Sequence, residues 1–157
     1  MNRRALAVGV GGPVLAAALG GIAARDADVV YERLRKPSWA PPPGAFGPVW
    51  TVLYGMIGVV GWRLVERRQG AVPIGLHVLQ LGLNTAWTPL FFGRRRKAAA
   101  LAVVSALDVV VAAELAAVHR RDPVAAGLLG PYLAWSLFAT ALNAAVEDPA
   151  SVEARPV

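Results

Sequence analysis

Cysteine is absent from the sequence and charged residues are scarce. The 157 residues include two histidines, no cysteine and 17% charged residues, against about 25% in a typical soluble domain. Without cysteine, disulfide frameworks, zinc fingers, iron–sulfur clusters and thiol nucleophiles are excluded. The two histidines are too far apart in the sequence to form a metal-binding motif. The scarcity of charge argues against a soluble enzyme, because each element of a soluble fold needs a polar face.

Long apolar segments are what the sequence has instead. Hydrophobic residues make up 56% of the chain, and the mean hydropathy is +0.49. Five segments are each long enough to cross about 30 Å of hydrocarbon as a helix. The sequence predicts an all-α integral membrane bundle of five transmembrane helices in one domain, residues 1–157. The expected spans are 5–24, 49–65, 72–92, 98–118 and 123–146.

The basic residues lie between these apolar segments. The chain has 16 lysines and arginines and a net charge of +6, which by itself would be compatible with nucleic-acid binding. Pairs such as Arg67 and Arg68, however, flank predicted spans, where they anchor helix ends and meet anionic lipid headgroups. We therefore expect a multi-pass protein of a bacterial cell membrane that contacts lipids and binds no nucleic acid.

The connection at 25–45 is much longer than the others. The short connections between the later spans predict that consecutive helices are antiparallel neighbours in an up-and-down bundle. A loop of about twenty residues in a compact protein is usually a lid or disordered, and the proline-rich run at 36–43 favours order. We expect an ordered lid that carries Trp39 over the bundle. The alternative is a stiff linker whose Trp39 joins an aromatic belt at the membrane interface.

Polar side chains inside the spans indicate where a site is expected. Gln80, Asn84 and Thr88 are spaced by four, so they share one face of the third helix. Hydrogen bonding between helices is the alternative use of such residues. We favour that use for Gln80, whereas for Asn84 the structural and ligand-binding interpretations stay equally open.

Aromatic side chains reach a similar depth on three helices. Trp50, Trp87 and Asn143 are each expected within roughly 10 Å of the face that carries the long loop, and Trp135 slightly deeper. Tyr54 shares a helix face with Trp50, and Ala139 shares one with Trp135 and Asn143. These positions predict a cavity inside the bundle beneath the loop, although tryptophans of an interfacial belt are the alternative.

A flat-sided, apolar cavity with a few amides suits a planar aromatic ligand better than a sugar or an ion. A tetrapyrrole has this chemistry. Its propionates would need cations at the rim, and Arg33, Arg35 and Lys36 in the long loop are available.

The ionisable residues within the spans give weaker indications. Asp108 lies near the middle of the fourth span, and the sequence shows no titratable partner for a proton relay. We expect His77 to be a packed, neutral imidazole rather than an axial haem ligand. Glu114 and His119 lie near the face that carries the amino terminus, and we expect their polar ends to reach the headgroups.

Glycines and prolines in the spans predict close packing and bends. Gly55, Gly58 and Gly61 recur every three residues and predict one smooth ridge on the second helix. Three prolines are expected to bend or loosen the first, third and fifth helices: Pro13, Pro89 and Pro131.

Four sequence motifs occur in order along the chain. They are KPSWAPP at 36–42, FGPVWTVLY at 46–54, NTAWTPLFFG at 84–93, and PYLAW at 131–135 followed by ATALN at 139–143. Together they resemble the signature of the TspO/MBR family, the tryptophan-rich sensory proteins and translocator proteins. The resemblance implies five transmembrane helices around a pocket covered by the first loop, commonly in a homodimer, and binding of porphyrins, haem and synthetic aromatic ligands.

The resemblance also implies the positions of the pocket. Matched residue by residue, it places the family's pocket on Tyr31, Pro41, Trp50, Tyr54, Asn84, Trp87, Trp135, Ala139 and Leu142. We add Trp39 to this set because of its position in the loop, and Asn143 because of its depth in the bundle. We expect protoporphyrin IX or haem as the ligand and a role as sensor or regulator of tetrapyrrole levels. Gly75 and Gly82, at a heptad spacing on the third helix, are compatible with a homodimer.

Two alternative functions stay open. Some members of the family are described as degrading protoporphyrin in light and oxygen, with tryptophans at the positions of Trp50 and Trp135 implicated. No acid–base pair, nucleophile or metal site in the sequence supports ordinary turnover. Transport of tetrapyrroles or lipids is the other alternative. The chain departs from many relatives after Asn143, where a Trp-Arg pair is replaced by Ala144 and Ala145, so cholesterol recognition there is not expected.

Overall fold

The computed structural model describes residues 3–25 and 27–148, which are helical apart from short connections. The α-helices are α1 (Arg3–Leu6), α2 (Gly12–Ala23), α3 (Ala27–Arg33), α4 (Phe46–Glu66), α5 (Ala71–Thr88), α6 (Lys97–Val118) and α7 (Pro123–Ala145). The described residues contain no strand, and the predicted all-α class is confirmed. Three helical segments are long and apolar enough to cross a membrane: Pro43–Glu66, Lys97–Val118 and Pro123–Ala145. A fourth is obtained if Ala7–Ala23 and Ala27–Arg33 form one bent span.

Two of the three prolines lie next to widened helical turns. A π-type segment, Ala7–Gly11, joins α1 to α2, and the Gly12 amide donates to the Ala7 carbonyl five residues earlier. This widening lies just before Pro13, which has no amide hydrogen. A second π-type segment, Pro89–Gly93, follows α5 and begins at Pro89. In contrast, α7 continues through Pro131.

The helices form a closed ring. The stretch 3–23 packs against α5, which packs against α6; α6 packs against α7, α7 against α4, and α4 returns to the first stretch. Alternating directions give the bundle two ends. We call the end that carries residues 3–11, 67–70 and 119–122 the N-terminal end, and the end that carries residues 27–45, 94–96 and 146–148 the lid end.

Only two glycines of the predicted ridge on α4 make close contacts. A Cβ atom on Gly58 would lie 2.6 Å from the Gly9 carbonyl oxygen, and one on Gly61 would lie 2.8 Å from the Val8 carbonyl oxygen. Gly55 faces open space. The ridge therefore docks the first helical stretch at the C-terminal half of α4, near the N-terminal end of the bundle, and not along the whole length of α4.

The long connection is ordered by its own hydrogen bonds. It contains α3 and a 3₁₀ turn, Pro43–Ala45. The ammonium group of Lys36 donates to the carbonyl oxygens of Tyr31 at 2.6 Å and Leu34 at 3.0 Å, which closes the end of α3. Arg35 and Glu147 pair through their backbones at 3.0 Å, and the Glu147 carboxylate accepts from the Arg35 amide. These contacts fasten the connection to the residues that follow α7.

Candidate ligand-binding site

A cavity of about 580 Å³ lies at the lid end of the bundle, beneath the connection between α2 and α4. Its volume is within the usual range for small-molecule sites. Nine of the eleven residues predicted for the pocket line it: Tyr31, Trp50, Tyr54, Asn84, Trp87, Trp135, Ala139, Leu142 and Asn143. The structure thus brings together side chains from the lid, α4, α5 and α7 around one space.

Trp39 and Pro41 are not among the lining residues. The Trp39 indole is half exposed and packs edge-on against Phe138, with ring centroids 5.7 Å apart. The Pro41 carbonyl oxygen accepts a hydrogen bond from the Tyr31 hydroxyl at 2.9 Å. Trp39 therefore packs against α7, and Pro41 holds the Tyr31 hydroxyl within the lid. Neither residue lines the cavity.

One wall of the cavity was missed from the sequence. It is formed by small residues at the end of the first helical stretch: Ala17, Gly20, Gly21 and Ala24. Their spacing of three, four and seven places them on one helix face, a pattern that could have indicated a surface for close approach. Small side chains there leave room that larger ones would fill.

Aromatic rings supply most of the remaining walls. The Trp50 ring lies 5.5 Å from Tyr54, and Trp135 lies 6.0 Å from Phe46. Trp87 stacks on Phe91 at 5.6 Å. Phe46 and Phe91 also line the cavity, although the sequence patterns did not single them out. Rings held by such contacts are fixed in orientation before any ligand arrives, which lowers the entropy lost on binding.

A chain of hydrogen bonds runs from the cavity wall into the bundle. The Tyr54 hydroxyl donates to the Asn84 side-chain oxygen at 2.7 Å, and the Asn84 nitrogen donates to the Tyr132 oxygen at 3.1 Å. Tyr132 in turn donates to the Gln80 side-chain oxygen at 2.8 Å. Because both polar atoms of Asn84 are occupied, the amide orients Tyr54, whose oxygen can still accept a hydrogen bond. Gln80 is fully buried and joins helices, as favoured from its spacing.

The two indole nitrogens on the α5 and α7 walls differ. Trp87 donates its ring N–H to the Asn143 side-chain oxygen at 3.0 Å. The ring nitrogen of Trp135 is buried without an acceptor among the described residues. A buried donor left without a partner has a free-energy cost, so a ligand that carries an acceptor would gain from reaching it.

None of the three cations expected at the rim of the cavity is among its lining residues. Lys36 is occupied by carbonyl oxygens and also lies over the Tyr31 ring, 4.7 Å from its centroid. Arg33 and Arg35 are exposed and stand outside the cavity lining. Lys36 therefore stabilises the lid, and of the three cations expected at the rim only Arg33 and Arg35 are left for an anionic ligand group.

Buried charges are concentrated at the N-terminal half of the bundle. Glu114 was expected to reach the headgroups, and that expectation is wrong: its side chain is fully buried and its Oε1 lies 2.8 Å from His77 Nδ1. For Asp108 the sequence shows no titratable partner, and in the structure its carboxylate accepts a hydrogen bond from the Thr140 hydroxyl at 2.6 Å. Spacing along one helix did not reveal these partners because each lies on a different helix.

Comparison with known proteins agrees with this arrangement. The model of the TspO/MBR family matches residues 9–147. The chain belongs to the TspO/MBR family. It is 44% identical over 119 residues to the translocator protein of Homo sapiens, covering 72% of this chain and 70% of that protein. It is 40% identical over 116 residues to the tryptophan-rich sensory protein of Cereibacter sphaeroides, covering 74% and 73%.

A third TspO/MBR relative is protein CrtK of Rhodobacter capsulatus, 32% identical over 120 residues that cover 74% of this chain and 75% of that protein. The family match includes every helix that contributes to the cavity. Family membership and the apolar helices together identify an integral membrane protein.

Proposed function

We propose that this TspO/MBR protein binds a tetrapyrrole of the protoporphyrin or haem type in the cavity at the lid end and acts as a sensor or regulator of tetrapyrrole levels. The observation that carries the proposal is the cavity itself, which has three indole rings, Trp50, Trp87 and Trp135, on its walls. Planar apolar ligands gain both buried area and ring contacts from such walls. The names of its relatives, translocator and sensory proteins, are compatible with this role.

Five membrane crossings are part of the proposal. The stretch 3–23 and α5 would complete the set with the three strongly apolar helices. The three most polar residues of α5, His77, Gln80 and Asn84, are buried inside the bundle, so the helix can present a largely apolar outer surface to lipid. This arrangement places both the lid and the cavity mouth near one membrane face.

A titration of purified protein with protoporphyrin IX tests the ligand. Trp135→Ala removes a ring from the wall and should weaken binding by about five- to tenfold, the size expected for an aromatic contact with its buried area. Trp62→Ala is the matched control, because Trp62 lies on α4, is 41% exposed and does not line the cavity. Binding would be followed by porphyrin absorption, with protein-free detergent micelles as the blank.

Equal affinities for the wild type, Trp135→Ala and Trp62→Ala would contradict the proposal, since the porphyrin would then bind outside the cavity. Weakening by Trp62→Ala alone would lead to the same conclusion. Thermal unfolding of both variants in the same detergent establishes that they are folded.

We also propose a homodimer, on the basis of family likeness. Gly75 and Gly82 on α5 face open space within the protomer, with no atom near the position of a Cβ, so a partner helix could approach closely there. Cross-linking in mild detergent should give a dimer. A product that is monomeric at every protein concentration would contradict this part of the proposal.

A further inference from the structure

A histidine and a glutamate are paired in the N-terminal half of the bundle, away from the cavity. The side chains of His77 on α5 and Glu114 on α6 are both fully buried, with Nδ1 and Oε1 2.8 Å apart. His77 Nε2 and Glu114 Oε2 have no hydrogen-bond partner among the described residues. The ligand-binding role proposed above makes no use of this pair.

The charge of the pair depends on how many protons it holds. With one proton between Nδ1 and Oε1 and none on Nε2, a neutral imidazole faces a carboxylate and the pair is a buried anion. One further proton makes the pair neutral overall, either as imidazolium with carboxylate or as imidazole with carboxylic acid. An uncompensated charge inside a protein is much more costly than a neutral pair, so burial favours the state with the extra proton.

No other described side chain compensates for the missing charge. On α4, Arg63 forms an ion pair with Asp122. Elsewhere on α6 and α7, Asp108 accepts from Thr140, and Tyr132 is engaged with neutral amides. In the first helical stretch the described basic side chain, Arg3, is exposed.

The surroundings of His77 Nε2 favour the same state. A Cβ atom on Gly61 would lie 2.7 Å from His77 Nε2 and 2.8 Å from the Val8 carbonyl oxygen, so these two atoms both lie beside the same glycine. In the π-type pattern of Ala7–Gly11 the Val8 carbonyl would pair with the amide of residue 13, but Pro13 has no N–H. In both neutral states of the pair, Nε2 carries a hydrogen near the Val8 carbonyl oxygen. In the anionic state Nε2 has a lone pair instead, so it and the carbonyl oxygen bring two lone pairs together.

We propose that His77 and Glu114 form a buried proton-binding site, and that the bound proton stabilises the packing of the first helical stretch against α4 and α5. This inference is independent of any ligand in the cavity.

Nitrogen-15 NMR of the imidazole rings tests the proton directly. The chain has two histidines, so His119→Asn leaves His77 as the sole imidazole signal. We expect Nε2 to carry a hydrogen at neutral pH. A bare Nε2 with the hydrogen on Nδ1 at neutral pH would overturn the proposal.

Discussion

The two ends of the bundle are built from different interactions. At the lid end, neutral hydrogen bonds and aromatic rings surround a cavity of about 580 Å³. At the N-terminal end, backbones meet at glycines, and ionisable side chains pair in the interior: Arg63 with Asp122 and His77 with Glu114. Helices held firmly at one end can leave space at the other without losing their arrangement. We infer that stability is concentrated at the N-terminal end and ligand binding at the lid end.

The largest expected effect on stability comes from Asp122. Its carboxylate receives two hydrogen bonds from Arg63 Nε and one from Nη2, lies 3.5 Å from Arg67, and accepts the Ala125 amide at the start of α7. Asp122→Asn should lower the free energy of unfolding by about 3 kcal/mol, because Arg63 loses its buried counter-charge. Denaturant unfolding in detergent would measure this. Asp28→Asn, at an exposed position near the lid, is the control and should change little.

The same carboxylate predicts a pH dependence. The hydrogen bonds from Arg63 hold the pKa of Asp122 below its usual value. The folded state therefore binds fewer protons than the unfolded state in acid, so the stabilisation is complete above about pH 4 and is lost as the pH falls through the lowered pKa. Asp122→Asn should remove this acid-dependent component of stability. An unchanged acid profile in the variant would show that other carboxyl groups produce it.

A pair of glycine substitutions on one helix tests the docking of the first helical stretch. In Gly58→Ala the new Cβ would lie 2.6 Å from the Gly9 carbonyl oxygen, and we expect a loss of about 1 to 3 kcal/mol from forced separation of the backbones. Gly55→Ala meets no atom within 4 Å and should be neutral or slightly stabilising. Similar losses in both variants would contradict the localised docking.

A smaller effect is expected at the lid end. Tyr54→Phe removes the hydroxyl that donates to Asn84 and whose oxygen can accept a hydrogen bond from a ligand, and it keeps the ring beside Trp50. We expect a loss of stability of about 1 kcal/mol and weaker protoporphyrin binding. Thr85→Val serves as the control, because its hydroxyl donates to the Leu81 carbonyl within the same helix and Thr85 does not line the cavity. Full affinity in Tyr54→Phe would mean that the hydroxyl does not contribute to binding.

The sequence was most informative where one helix determines the answer. Spacing by four placed Gln80 and Asn84 on one face of α5, and helical rise placed Trp50 and Trp135 at similar depths, because both follow from the geometry of a single helix. The structure brings these residues together around or beside the cavity. The same reasoning gave the all-α class from the apolar segments alone.

Features that depend on two elements were harder to predict. The pairing of His77 with Glu114 joins α5 and α6, and nothing in the spacing of either helix indicates the partner. The wall formed by Ala17 and Gly20 depends on how the first helical stretch docks on α4, which is set by the approach of Gly9 to Gly58. Likewise, the orientation of Trp39 depends on the hydrogen bonds that fold the lid.

The most direct test of the central claim is to locate the ligand by its magnetism. Ferric haem is paramagnetic and broadens nearby NMR signals, and the five tryptophans provide indole N–H probes at both ends of the bundle. The account predicts that the signals of Trp50, Trp87 and Trp135 are lost first on addition of haem, whereas that of Trp62, on the exposed surface of α4, persists. Broadening of Trp62 while the three cavity signals remain would contradict a ligand site at the lid end.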